Sequence, residues 1–138
     1  MDKLTKSQYI ALAQFRHGLR QFLNFSEEAA NAEGLAPQQH QLLLSIKGSQ
    51  GKDWLNIKEI AQHLMLRHHS AVELVNRTEA KGLVVRSHDL TDRRTVQVRV
   101  TKDGEEVLDR LTLRHLQELS ALAKLFHSVP FSQSVSSL

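Results

Sequence analysis

The sequence contains no cysteine, which removes disulfides, thiolate metal sites, cysteine nucleophiles and thiol redox sensing together. It also lacks long apolar runs, so neither a membrane span nor a secretory segment is expected, and a cytoplasmic location follows. No Ser-His-Asp spacing, glycine-rich phosphate loop or paired-carboxylate constellation stands out, and no enzymatic activity or cofactor is expected. There is no internal repeat.

What is present is 138 residues with 41% apolar composition, enough for one compact core and too short for two comfortable domains, so a single domain over residues 1–138 is expected. The formal charge is +3, a mild basic bias whose distribution says more than its size. Between Lys52 and Lys102 ten basic residues stand against six acids, so the excess lies in the middle third, as a polyanion partner would require.

Periodicity orders the chain. Leu12, Phe15, Leu19, Phe22 and Leu23 recur at helical spacing from Thr5 to about Asn31, and Gly34 ends that helix. Pro37 suits the first turn of a second helix with Leu42, Leu43 and Ile46 on its apolar face, and 48–53 reads as a surface turn. Asn56 with Glu59 three residues on resembles a capping box opening a short helix. After a break at 65–68, a helix over 69–81 buries Ala71, Leu74, Val75 and Thr78 and closes on Gly82, which can take the left-handed conformation. Two short helices joined by about four residues form a helix-turn-helix pattern.

Beyond Gly82 the period becomes two. Val96, Val98 and Val100 alternate with polar residues, and 83–86 is the partner strand. The 87–95 loop between them is charged and projects as a wing. From Thr101 to about His127, Leu111, Leu116, Leu119, Leu122 and Phe126 continue at helical spacing. A helix of roughly 26 residues is about 39 Å long, too long for one small subunit to cover, so a second copy is the simplest cover. The expected fold class is mostly α with a small β-hairpin wing, an α+β winged helix-turn-helix. Residues 5–34 and 102–127 are its dimerisation helices, 35–101 its DNA-binding lobe and 128–138 a loosely ordered tail.

Two stretches carry a family resemblance. Asp92-Arg93-Arg94-Thr95-Val96-Gln97-Val98-Arg99-Val100-Thr101, followed by Gly104, resembles the wing signature of the MarR family of bacterial transcription regulators, with Val100 where Leu is usual. Asn76-Arg77-Thr78-Glu79-Ala80-Lys81-Gly82-Leu83-Val84 resembles the end of that family's recognition helix, with Thr78 in place of Leu and a less apolar core beneath it. The likeness covers about 35–111 well and the terminal helices by pattern only. Family members usually carry a further C-terminal helix, and little sequence beyond Pro130 is there to build one, so a smaller dimer interface is expected.

The resemblance implies a homodimeric repressor, or less often an activator, of double-stranded DNA. In the physical reading, His68, His69, Ser70, Glu73, Asn76 and Arg77 form the face of a helix that enters the major groove. Arg93 and Arg94 on the wing suit the minor groove, where negative potential concentrates. By the resemblance, Asp92 orients Arg94 through a charge-assisted hydrogen bond. The candidate dimer residues are Leu12, Phe15, Leu19 and Phe22 with Leu111, Leu119, Leu122 and Phe126. A two-fold pair would address a pseudo-palindromic operator with half-sites about one helical turn apart.

The resemblance also allows a small-molecule effector in a crevice that Phe15, Arg16, His17, His40 and Trp54 could in principle line, although a structural role suits most of them better. No metal site is expected, because adjacent His68 and His69 point about 100° apart on a helix and cannot easily share one tetrahedral ion with His63. His115, alone on an apolar stripe, fits a packed interface residue better than a ligand or a pH switch. The alternative function is a winged-helix module for protein contact, without sequence-specific DNA binding.

Overall fold

A computed structural model of the chain describes residues 3–88, 90–92 and 94–127, the side chains of Leu125 and Phe126 excepted. Arg93, the Phe126 side chain and the 128–138 tail, all named above, lie outside the described residues. The elements are α1 (Lys6–Ala32), α2 (Pro37–Lys47), β1 (Trp54–Leu55), α3 (Ile57–Leu64), α4 (His68–Ala80), β2 (Val84–His88), β3 (Val96–Val100) and α5 (Lys102–His127). The described residues group into two compact units, one holding those up to 29 with 113–127 and one holding those from 30 to 112.

In the 30–112 unit, Leu42, Leu43 and Ile46 of α2 are fully buried, as are Leu55, Ile60, Leu74, Val75, Val84 and Val98. Each large aliphatic side chain removed from water contributes about 1.5–3 kcal/mol, so these residues hold the unit together. A three-stranded antiparallel sheet runs in the order β1-β3-β2. β2 starts at Val84 and continues to His88, which pairs with Val96, while Ser87 pairs with Gln97. β2 therefore runs two residues further into the wing than its expected end at Arg86, because backbone pairing continues where the side chains are polar.

β1 has no counterpart in the sequence reading. It is two residues long, pairs Trp54 with Arg99 and Leu55 with Val98, and is defined by its partner strand more than by its own pattern. Leu111 corrects a second expectation. It is fully buried within its own subunit, beside buried Val107 and Leu108, so it belongs to the core and has no surface to offer a dimer seam.

Within the other unit, His115 shares a 2.8 Å hydrogen bond with the Ser26 hydroxyl and meets the rings of Phe22 and Phe25 edge-on at 5.8 and 5.2 Å. Phe22 and Leu122 are half-buried, while Leu12, Phe15, Leu19 and Leu119 remain exposed. Exposed apolar residues at this helical spacing form a stripe of the kind that marks an interaction face. Among the described residues, no helix is long and apolar enough to cross a membrane.

Candidate nucleic-acid interface

The helix-turn-helix is built from its caps. Asn56 Oδ1 accepts from the Glu59 main-chain N–H at 2.8 Å, and Glu59 Oε1 accepts from the Asn56 N–H at 3.1 Å, the reciprocal box expected at the start of α3. Lys52 Nζ adds hydrogen bonds of 2.9 and 2.7 Å to the same carboxylate. The Lys52 bond, opposed by burial and aided by the Asn56 N–H, holds the Glu59 carboxyl below its ordinary range. α3 ends on Met65, which has φ 55° and ψ 45°. That left-handed residue turns the chain into α4.

α4 presents two faces. Ala71, Leu74, Val75 and Thr78 are buried, and the Thr78 hydroxyl donates to the Leu74 carbonyl at 2.7 Å. The departure from Leu at this position is thus satisfied locally without an unpaired polar group. On the outward side His68, His69, Glu73, Asn76 and Arg77 are exposed, and Ser70 is half-buried. With about 100° per residue, His69, Glu73 and Asn76 fall on one stripe opposite the buried one and Arg77 beside it. Of the sequence-predicted reading residues, His69, Glu73, Asn76 and Arg77 are therefore brought together on one surface, with His68 and Ser70 about 100° to either side of His69.

The end of α4 sets up the wing. The N–H of Gly82 (φ 76°) donates to Glu79 O at 2.8 Å and that of Leu83 to Thr78 O at 3.2 Å, a Schellman closure that requires the left-handed conformation glycine adopts freely. Thr101 then locks the far end of the hairpin. Its hydroxyl donates to Gly82 O at 2.6 Å and accepts from the Gly104 N–H at 3.1 Å, capping α5.

At the wing tip Asp92 Oδ1 accepts from the Arg94 main-chain N–H at 3.0 Å, and Thr95 adds an N–H bond to Asp92 O at 3.1 Å. The Arg94 Nε lies 3.6 Å from Asp92 Oδ1, beyond hydrogen-bond range. Asp92 thus shapes the turn through the backbone, and a loose ion pair stands where a side-chain hydrogen bond was expected. The Arg94 side chain is 96% exposed.

Electrostatics sharpen the same surface. Lys52, Arg86 and Arg99 are paired with Glu59, Glu79 and Asp53, and Lys81 Nζ donates to Gly34 O and Gln39 Oε1. Among the described residues, Lys58, Arg67, Arg77 and Lys102 enter no ion pair, and Arg67 and Arg77 bracket the outward face of α4. The sequence reading missed the Arg86-Glu79-Asn76 link. Arg86 donates through its main-chain N–H and Nη1 to Glu79 and through Nη2 to Asn76 Oδ1. The i,i+3 spacing of Asn76 and Glu79 was the available hint. Among the described residues no group of three or more His, Cys, Asp or Glu side chains is placed to hold a metal ion.

A family model described as MarR family matches residues 33–95, which contain this helix-turn-helix and most of the wing. Over these residues the chain is similar to the MarR family. It is similar to the HTH-type transcriptional repressor MdtR of Bacillus subtilis, 32% identical over 87 residues that cover 59% of this chain and 53% of MdtR. It thus spans about half the length of that relative. In fold it is similar to S. aureus MepR in a DNA complex, with TM-score 0.69, 20% identity and coverage of 99% and 100% of the two chains. It is likewise similar to CouR from Rhodococcus jostii RHA1 bound to p-coumaroyl-CoA, with TM-score 0.69, 23% identity and coverage of 93% and 85%. At these identities the two structures establish the shared MarR fold.

Proposed function

We propose that the chain is a homodimeric, sequence-specific regulator of transcription that binds a pseudo-palindromic operator and acts as a repressor in the cytoplasm. α4 enters the major groove and the wing reaches the minor groove. The observation that carries this reading is the two-faced α4, buried through Ala71, Leu74, Val75 and Thr78 and exposed through His69, Glu73, Asn76 and Arg77, flanked by the unpaired Arg67 and by the outward Arg94. The exposed Leu12, Phe15, Leu19 and Leu119 are the surface that pairs two copies. The relatives named above support the reading, since one is a repressor and another was solved on DNA. The CouR complex with p-coumaroyl-CoA supports a small-molecule effector that alters affinity by biasing the spacing of the two reading heads. We assign no enzymatic activity.

A second reading, protein contact by the same lobe, draws on Met65 and Leu90, which are 92% and 100% exposed. Apolar side chains at a helix-turn-helix turn and a wing suit a protein partner better than phosphate. Selection of bound sequences from random duplexes, with affinity measured at several salt concentrations, separates the two. The regulator reading expects a two-fold motif and a steep salt dependence. Arg94→Ala should weaken operator binding about tenfold at matched salt and leave the dimer intact. Unchanged affinity would remove the wing from the interface.

A further inference from the structure

Asn76 stands on the outward stripe of α4, yet its amide is not free to turn. The Schellman closure at Gly82 brings β2 back alongside the C-terminal half of α4. There Glu79 grips Arg86 at two points, Oε2 accepting the main-chain N–H at 3.0 Å and Oε1 accepting Nη1 at 2.6 Å. The main-chain bond places Arg86 and the side-chain bond orients its guanidinium. The remaining nitrogen, Nη2, donates to Asn76 Oδ1. Arginine has donors and no acceptor, so this contact settles which end of the amide faces inward. The oxygen is held and the NH2 group points away from Arg86.

We propose that Asn76 is a specificity-determining residue that meets DNA through its hydrogen-bond donors, because Arg86 holds the amide with its oxygen turned inward and its NH2 outward. The inference rests on the reading of α4 as the major-groove helix. An unrestrained asparagine recognises adenine with two bonds, accepting from N6–H and donating to N7. With the oxygen turned towards Arg86, presenting both ends of the amide to adenine requires the amide to rotate away from that bond. The donors that remain match the acceptor edges of guanine, N7 and O6, or the O4 of thymine. Glu79 also balances the charge of Arg86, and the pair is only partly exposed, with side-chain exposures of 37% and 28%. Phosphate therefore competes poorly for Arg86, and the restraint persists on DNA.

The test is selection of bound duplexes from a random pool by three full-length proteins: the parent, Arg86→Ala and Asn76→Asp. Arg86→Ala frees the oxygen and should move one symmetry-related position of each half-site from guanine or thymine towards adenine. Asn76→Asp keeps the contact with Arg86 but removes the donors, and should lower affinity for the parental operator about tenfold and shift the same position towards cytosine, whose N4 amino group donates. Asn76→Asp strengthens the pairing with Arg86, so it remains informative if Arg86→Ala does not fold. A motif identical for the parent and Asn76→Asp, or a parental adenine at the position that Asn76→Asp alters, overturns the inference and leaves α4 as the reading helix. Absence of any motif with the parent overturns both.

Discussion

Gly104 sits in the first turn of α5, where helix propensity alone would favour Ala by about 1 kcal/mol. A Cβ built at this position would stand 2.2 Å from the Leu83 carbonyl oxygen and 2.8 Å from Val100 Cγ1. Carbon and carbonyl oxygen ordinarily approach to about 3.3 Å, so for Gly104→Ala the carbonyl must retreat by about 1 Å. That carbonyl accepts the Thr101 N–H at 3.0 Å, the bond joining the two ends of the wing hairpin. Overpacking against backbone costs about 3 kcal/mol, and a weakened hydrogen bond adds about 1 kcal/mol. Set against the propensity gain, the net loss is about 3 kcal/mol. For a chain of this size the thermal midpoint should fall by about 10 °C. Calorimetry or circular dichroism at fixed protein concentration reads the change, with Lys102→Ala, one exposed position on the same turn, shifting by no more than about 0.5 kcal/mol. A Gly104→Ala protein melting within about 2 °C of its parent would refute the close approach of α5 to the start of β2.

Three further expectations concern the helix-turn-helix. Asn56→Ala removes the side-chain cap of α3 and should lower stability by about 1 kcal/mol in urea unfolding. In the same box the folded-state value of the Glu59 carboxyl is depressed, first by the Lys52 hydrogen bond. Its contribution is therefore present above the ordinary carboxylate value of about 4.3 and is lost as pH falls through the lower folded value. Glu59→Gln should flatten the acid limb of the stability profile, and an unchanged limb would mean the pair contributes nothing. Met65 holds a left-handed conformation with its side chain 92% exposed, so Met65→Gly gives up no burial. Relief of about 1–2 kcal/mol of strain, less the entropy glycine loses on folding, should raise stability by about 0.5–1 kcal/mol. A lower urea midpoint would show that Met65 is unstrained.

Features carried by neighbouring residues were legible in the sequence. The Asn56 and Glu59 box, the buried face of α4 and the stop at Gly82 each depend on residues within one or two turns of each other, and the structure reproduces them. Features set by distant partners were not. The pair Trp54–Leu55 becomes a strand only because β3 lies beside it. Leu111 has the same helical spacing as Leu119 and differs only in what packs over it. Arg86 was read as a strand residue, and its grip on Asn76 depends on a turn that brings two elements side by side.

By itself the sequence determined the order of the helices and of the wing strands, the capping box of α3, the stop at Gly82 and the two-faced character of α4, because backbone geometry and hydrophobic periodicity act over a few residues. Tertiary structure alone decided which leucines fill the core, why no side chain fits at Gly104, and which end of the Asn76 amide is available. Those depend on distances of a few ångströms between segments separated by ten residues or more, and such distances exist only once the chain has closed on itself.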